Sequence, residues 1–201
     1  MNRDCRLQIA GRRFGAGESR GIMLKAIISI LVALGAIVGV IAFLGSRLPQ
    51  EHVVARKVVV GAPVDVVFTT ITEFASAPTW QPGVKSVSVF KDPTTGRTRV
   101  TQESSMGPMT MEVDQLIPPK RLVMRIVGED QFGGTWVYTL DPQGNETLVT
   151  ITEHGEVYNP VFRFISKYVM GHTRTIDAYL VNLAKKFGRD VVPVDAAPVA
   201  P

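Results

Sequence analysis

Few side chains in this sequence are placed for chemistry. Glu153 shares one face of a predicted strand with Val149 and Ile151, because alternate residues of a strand point the same way. A carboxylate beside two core-facing aliphatics is partly desolvated, which raises its pKa and suits it to orienting a polar ligand group or acting as a base. Its place at the predicted strand end favours instead that it reaches solvent, or pairs with a cation such as Arg125 or Arg163. The three histidines, His52, His154 and His172, are far apart and lack a ligand spacing such as His-x-x-x-His. His154 falls on the strand face opposite Glu153, and His172 on an apolar helical stripe, the place of a satisfied core histidine rather than a catalytic base. The only cysteine, Cys5, lies near the N-terminus, so the folded part has neither a disulfide nor a thiolate metal site. No Ser-His-Asp, Cys-His or phosphate-cradling glycine arrangement is present, and no metal or cofactor is expected.

The location of these groups is set by what precedes them. Ala26 to Gly45 reads AIISILVALGAIVGVIAFLG, free of charge and bracketed by Lys25 and Arg47. As a helix it is ~30 Å long, the thickness of a bilayer's hydrocarbon core. Ser29 is its one clearly polar side chain, whereas a core helix keeps a polar stripe. The run exceeds a signal peptide's apolar region and ends Phe43-Leu44-Gly45-Ser46-Arg47 without a small-x-small cleavage site, so an uncleaved single-pass anchor is predicted. Gly35-x-x-x-Gly39 places two glycines on one helix face and permits a homodimer contact.

The net charge of +4 resides entirely in the first 25 residues, which carry Arg3, Arg6, Arg12, Arg13, Arg20 and Lys25 against Asp4 and Glu18. The rest is electrically balanced, which argues against nucleic-acid binding. Six basic residues before the span against Arg47, Arg56 and Lys57 after it favour a cytoplasmic N-terminus and an extracytoplasmic domain. Met23 is an alternative start to Met1 and would remove five of the six charges.

Beyond the span, Val-rich His52–Val60 reads as a strand and Gly61-Ala62-Pro63 breaks it. Pro63 then opens a helix carrying Val64, Val67, Phe68 and Ile71. From Val84 the period is two. Val84–Phe90, Arg99–Ser105, Met109–Leu116, Leu122–Val127, Thr135–Leu140 and Thr147–Glu153 are separated by turn chemistry such as Asp92-Pro93-Thr94-Thr95-Gly96 and Asp141-Pro142-Gln143-Gly144-Asn145, which predicts an antiparallel meander. Asn159-Pro160 caps a last helix whose apolar stripe runs to Phe187. The expected fold is α+β: a curved antiparallel sheet of about seven strands gripping one long C-terminal helix, preceded by one transmembrane helix. The predicted divisions are a disordered basic leader (1–22), an anchor (23–47), the sheet-and-helix domain (48–189) and a flexible tail (190–201).

Ala62-Pro63-x-x-x-Val67-Phe68-x-x-Ile71-Thr72-Glu73-Phe74, followed by Pro78-x-Trp80-x-Pro82-Gly83, resembles the opening helices of the START-like, Bet v 1-like superfamily (SRPBCC), in its bacterial polyketide cyclase/dehydrase branch. Gly134-Thr135-Trp136 and Thr152-Glu153-x-Gly155-Glu156-Val157-x-Asn159-Pro160 resemble that branch too. The resemblance covers about residues 50 to 188. It implies a helix-grip fold with an apolar cavity between sheet and long helix for lipids, polyketides or other hydrophobic molecules. In such a fold Trp80, Trp136, Tyr158, Phe164 and Tyr168 are pocket-wall candidates, since aromatic faces give large apolar contact with a polar tip. Met109, Met111 and Met124 suit an adaptable cavity, or an ordinary core. The expected function is a membrane-anchored binding protein, carrier or sensor for a hydrophobic molecule. The alternative is a cyclase or dehydratase using the same cavity, with Glu153 as its acid or base.

Overall fold

The computed structural model describes residues 16–105 and 107–201. It forms two units, one ending at Ile41 and the other running from Ala42 to Pro201. Helix α1 (Ala16–Ser46) is uninterrupted. Residues 16–22, expected in a disordered leader, are therefore helical, while residues 1–15, Cys5 included, lie outside the described residues. Gly21–Ser46 is long and apolar enough to cross a membrane. Every residue from 21 to 40, Gly35 and Gly39 among them, is exposed, so this stretch has no buried face of its own.

In the second unit, β1 (Glu51–Val60) leads to α2 (Val64–Thr72) and a 3-10 turn (Phe74–Thr79). The meander follows as β2 (Val84–Lys91), β3 (Thr98–Ser104), β4 (Gly107–Ile117), β5 (Arg121–Val127), β6 (Phe132–Gln143) and β7 (Glu146–Val157). The sheet order is β2-β3-β4-β5-β6-β7-β1-β8, with all neighbours antiparallel. The helix-grip expectation holds, with an eighth strand, β8 (Val194–Asp195), added beyond β1.

One sheet face is the core. Val58, Val60, Val100, Leu122, Leu140, Val149 and Ile151 are buried there beneath Val67, Phe68 and Ile71 of α2. Ile176, Leu180 and Leu183 of α4 (Arg174–Lys186) complete the cover, all fully buried. Arg56, on the same face, donates to Asp177 of α4 at 2.7 Å and ties β1 to that helix.

The C-terminal segment is not one helix. Asn159 caps α3 (Pro160–Ile165), its side-chain oxygen accepting from the amides of Val161 and Phe162, as the sequence predicts. A π turn (Ser166–Met170) follows, and Gly171, at φ 75°, ends it in the left-handed region that glycine adopts without cost. α4 then starts afresh and is the part of this segment that joins α2 in covering the core.

Residues 190–201, expected as a flexible tail, are held to the domain: Val191 packs against the core, Val194–Asp195 forms β8, and residues 196–200 form a strap over the opposite sheet face. Ala196 donates its amide to Ala55 O (3.1 Å), Val199 donates to the Thr152 hydroxyl (3.1 Å), and Arg121 donates to Ala200 O (2.7 Å). Beneath it the register aligns Ala55, Thr152, Val137 and Val123 in one row across four strands. All four are buried.

Candidate functional site

The strand register brings three of the sequence-predicted residues together. Glu153 sits between Val54 and Trp136, and Trp136 pairs with Met124, so Glu153, Trp136 and Met124 form one row on the core face. Beside this row, between the sheet, the 3-10 turn and α4, lies a cavity of about 20 Å³ lined by Trp80, Met111, Met124, Tyr138 and Tyr179 among others. That is room for about one water. Trp80, Met111 and Met124 are thus where the expected pocket would be, but its volume is filled by side chains. Tyr179 packs edge-on against Trp80 (5.2 Å between centroids), Trp136 (6.2 Å) and Tyr138 (5.5 Å). Burial raises both tyrosine pKa values, keeping the phenols protonated as hydrogen-bonding groups. The Trp80 indole N–H is buried without a hydrogen-bond partner, an uncommon state for a native polar group. Met109 and Trp136 are partly buried against the same core without lining the cavity.

Phe164 and Tyr168 stand elsewhere. Their rings pair at 5.0 Å on α3 and the π turn, and Tyr168 is 61% exposed. As walls of the sheet–helix cavity they are corrected, because the break at Gly171 separates their segment from α4. Tyr158 is likewise exposed, and its hydroxyl donates to Glu156.

A larger cavity, of about 200 Å³, is lined by residues 48–52, Val157, Arg163, Lys167 and His172. At its wall the imidazoles of His52 and His172 stack with centroids 3.9 Å apart and planes at 26°. His52 Nε2 lies 3.6 Å from Glu153 Oε1, and His172 Nδ1 is 3.2 Å from the Ser166 hydroxyl. Register opposes His52 to Gly155, and the imidazole occupies the space a side chain there would fill. Burial, then the neighbouring His52 charge, lowers the His172 pKa, while Glu153 opposes the shift. A neutral imidazole beside a carboxylate-contacted one can accept a proton.

Glu153 is therefore neither at the strand end nor paired with Arg125 or Arg163. β7 runs on to Val157, and Arg125 is engaged on the other face by Glu112 and Asp114. His172 is in the inter-helix break rather than on a helical stripe, and His154 contacts Val199 O at 2.8 Å under the strap. Sequence reasoning missed the His52–His172 contact and Tyr138. Only the β1–β7 register and the Gly171 break, both tertiary facts, reveal the first. Tyr138 alternates in phase with Trp136 along β6 and was within reach of the period-two signal. Among the described residues no group of three His, Cys, Asp or Glu side chains is arranged to hold a metal.

Residues 51–188 match the family described as polyketide cyclase / dehydrase and lipid transport. The chain belongs to this family. Solved structures agree on the fold of this family member. A START superfamily protein from Mycobacterium smegmatis is similar at 17% identity and TM-score 0.55, over 68% of this chain and 97% of that one. An aromatase/cyclase from Streptomyces sp. R1128 is similar at 14% identity and TM-score 0.58, over 69% and 94%. A truncated norcoclaurine synthase from Thalictrum flavum is similar at 10% identity and TM-score 0.54, over 68% and 92%. At such identities the likeness is one of fold. No curated protein matches the chain.

Proposed function

We propose that this protein is a membrane-tethered binding protein, a carrier or sensor, for a hydrophobic molecule held between the sheet and α4. The observation that carries the reading is the lining of the inner space. Flexible thioethers (Met111, Met124), phenols and an indole whose N–H lacks a partner meet there, the mix of apolar wall and sparse polar groups that binds such ligands. The closed volume of about 20 Å³ means that binding requires side chains to move. The family's inclusion of lipid transport supports this reading, and α1 supplies the tether. The basic residues before the span support a domain outside the cytoplasm, and added protease should then digest it in intact spheroplasts.

The test is uptake of a fluorescent fatty acid by the full chain in a neutral detergent. Met111→Glu, placing a carboxylate in the lining, should abolish uptake, whereas unchanged uptake would sink the proposal. The Glu153–His52 contact, 3.6 Å, favours one second reading: a cyclase or dehydratase using His52 or His172 as base. Turnover of a presented polyketide that vanishes in both Glu153→Gln and His52→Gln would establish it instead.

A further inference from the structure

The larger cavity contains a buried cation without an anion. Arg163 is 8% exposed. Its terminal nitrogens donate to the carbonyls of Gly45 (3.4 Å), Leu48 (3.0 Å) and Tyr158 (2.8 Å), and its Nε is buried without a partner. Those carbonyls satisfy hydrogen bonds but do not neutralise the charge, and an uncompensated buried charge is costly. None of the ion pairs among the described residues uses Arg163 or Lys167. Lys167 lines the same cavity, its ammonium 5.4 Å from the Tyr168 ring. Glu51 lines it as an exposed residue, and Glu153 contacts His52 rather than either cation. The site therefore presents excess positive charge to whatever fills it.

Its size and surroundings narrow the occupant. About 200 Å³ is below the ~300 Å³ at which small-molecule pockets begin, enough for a headgroup and too little for an acyl chain. Next to it Phe162, Tyr168, Val169 and Met170 are 52%, 61%, 71% and 48% exposed. The same segment receives the last turn of α1: the Gly45 backbone is in such close contact with Pro160 that a Cβ there would strike its carbonyl. That contact sets the cavity beside the domain end of α1, the end that the proposed membrane tether brings to the headgroup region.

We propose that this cavity is a headgroup site for an anionic lipid, with the phosphate held by Arg163 and Lys167 and the acyl chains left outside the cavity. The site differs from the sheet–helix space in place and in chemistry, and it rests on the membrane-tether part of that reading only.

The test offers the full chain, in a neutral detergent, equal amounts of phosphatidylglycerol and phosphatidylcholine and reads retained lipid by native mass spectrometry. Phosphatidylglycerol should be retained in preference. Lys167→Gln should lower that retention about fivefold, the usual worth of one basic residue at an anionic surface, and leave phosphatidylcholine unchanged. Arg163→Gln should lower it further. Because Arg163 also ties three carbonyls, its variant is read only if its melting temperature is native, and the exposed Lys167 carries the test otherwise. Equal retention of both lipids, or native retention by Lys167→Gln, overturns the proposal. Displacement of phosphatidylglycerol by an equimolar amount of inorganic phosphate would assign the site to the free anion and overturn the lipid assignment. Met111→Glu should leave phosphatidylglycerol retention intact while abolishing fatty-acid uptake, so either proposal fails separately, and carbonate extraction reports on the tether independently.

Discussion

Acidification should weaken the domain through His172. Its ring is 3.9 Å from that of His52, and it also senses Glu153 and Lys167. Burial is the largest influence, followed by the His52 charge, and both hold its pKa below the ordinary value of 6.5. Two unit charges about 4 Å apart repel by about 1 kcal/mol in bulk water and about 4 kcal/mol at the effective dielectric of a protein surface. The partly buried pair falls between these limits, so the repulsion acts with burial to hold the His172 pKa down. The unfolded chain takes up its proton near the ordinary value and the folded chain only at lower pH. Between the depressed pKa and 6.5 the unfolded state holds more protons, and stability rises with pH. Above that window the contribution is complete. The assay is thermal unfolding of the full chain in neutral detergent from about pH 7.5 to about pH 5, where acid uptake by such groups is read directly. Trp80 and Trp136, the only tryptophans, report the domain by fluorescence. The melting temperature should be level at the alkaline end and fall through the window, less steeply in His172→Phe. Nuclear magnetic resonance should place the His172 midpoint below 6.5, and His52→Gln should move it part of the way back, since burial remains. A midpoint at or above the ordinary value, or an acid slope that His172→Phe leaves untouched, would refute the reasoning.

Three further outcomes are expected. Gly45→Val drives a side chain into the backbone of Pro160, which cannot swing aside, and should cost about 1 to 3 kcal/mol as overpacking does; an unchanged melting temperature would mean that this junction is not packed in solution. Removing residues 191–201 uncovers Val123 and Val137 and deletes the strap's hydrogen bonds, so the urea midpoint should fall and dye binding to exposed apolar surface should rise, whereas a native midpoint would show the strap to be ornamental to stability. Glu153→Gln should change fatty-acid affinity by less than about tenfold, because a neutral hydrogen bond partly replaces a charged one; a larger loss in a titration would promote Glu153 to a principal ligand contact.

The parts of this fold that depend on local chemistry were readable. Turn residues separate β2 through β7 where the period of two predicts, and Asn159-Pro160 opens α3 as a cap and N1 proline should. Met111 and Met124 converge because alternation fixes which strand face they take and the helices cover only one face, and Trp80 meets them from the end of the 3-10 turn. What escaped was tertiary. The apolar stripe continues through Gly171, and a single glycine in a helical pattern is tolerated often enough to be read through, yet here it separates Phe164 and Tyr168 from the core. The Pro- and Ala-rich end has no periodicity, so nothing local announces that it lies across Thr152 and Arg121. Arg163 looks like any surface cation on a short helix, and its burial depends on carbonyls of Gly45 and Leu48, more than a hundred residues earlier.

The position of β1 between β7 and β8 has a consequence for how the chain is made. β1 leaves the ribosome directly after the apolar helix, but Glu51 must wait for Glu156, and Arg56 for Asp195. Meanwhile β2 through β7 can zip by neighbouring hairpins. Closing the sheet is thus a late step over a loop of about a hundred residues, whose entropic cost grows with length and which slows folding. Until then EHVVARKVVV presents two unpaired edges to any other extended chain. The first folded-sheet residues synthesised are the last to be protected, so a chaperone attending this protein would have its substrate in that valine-rich strand.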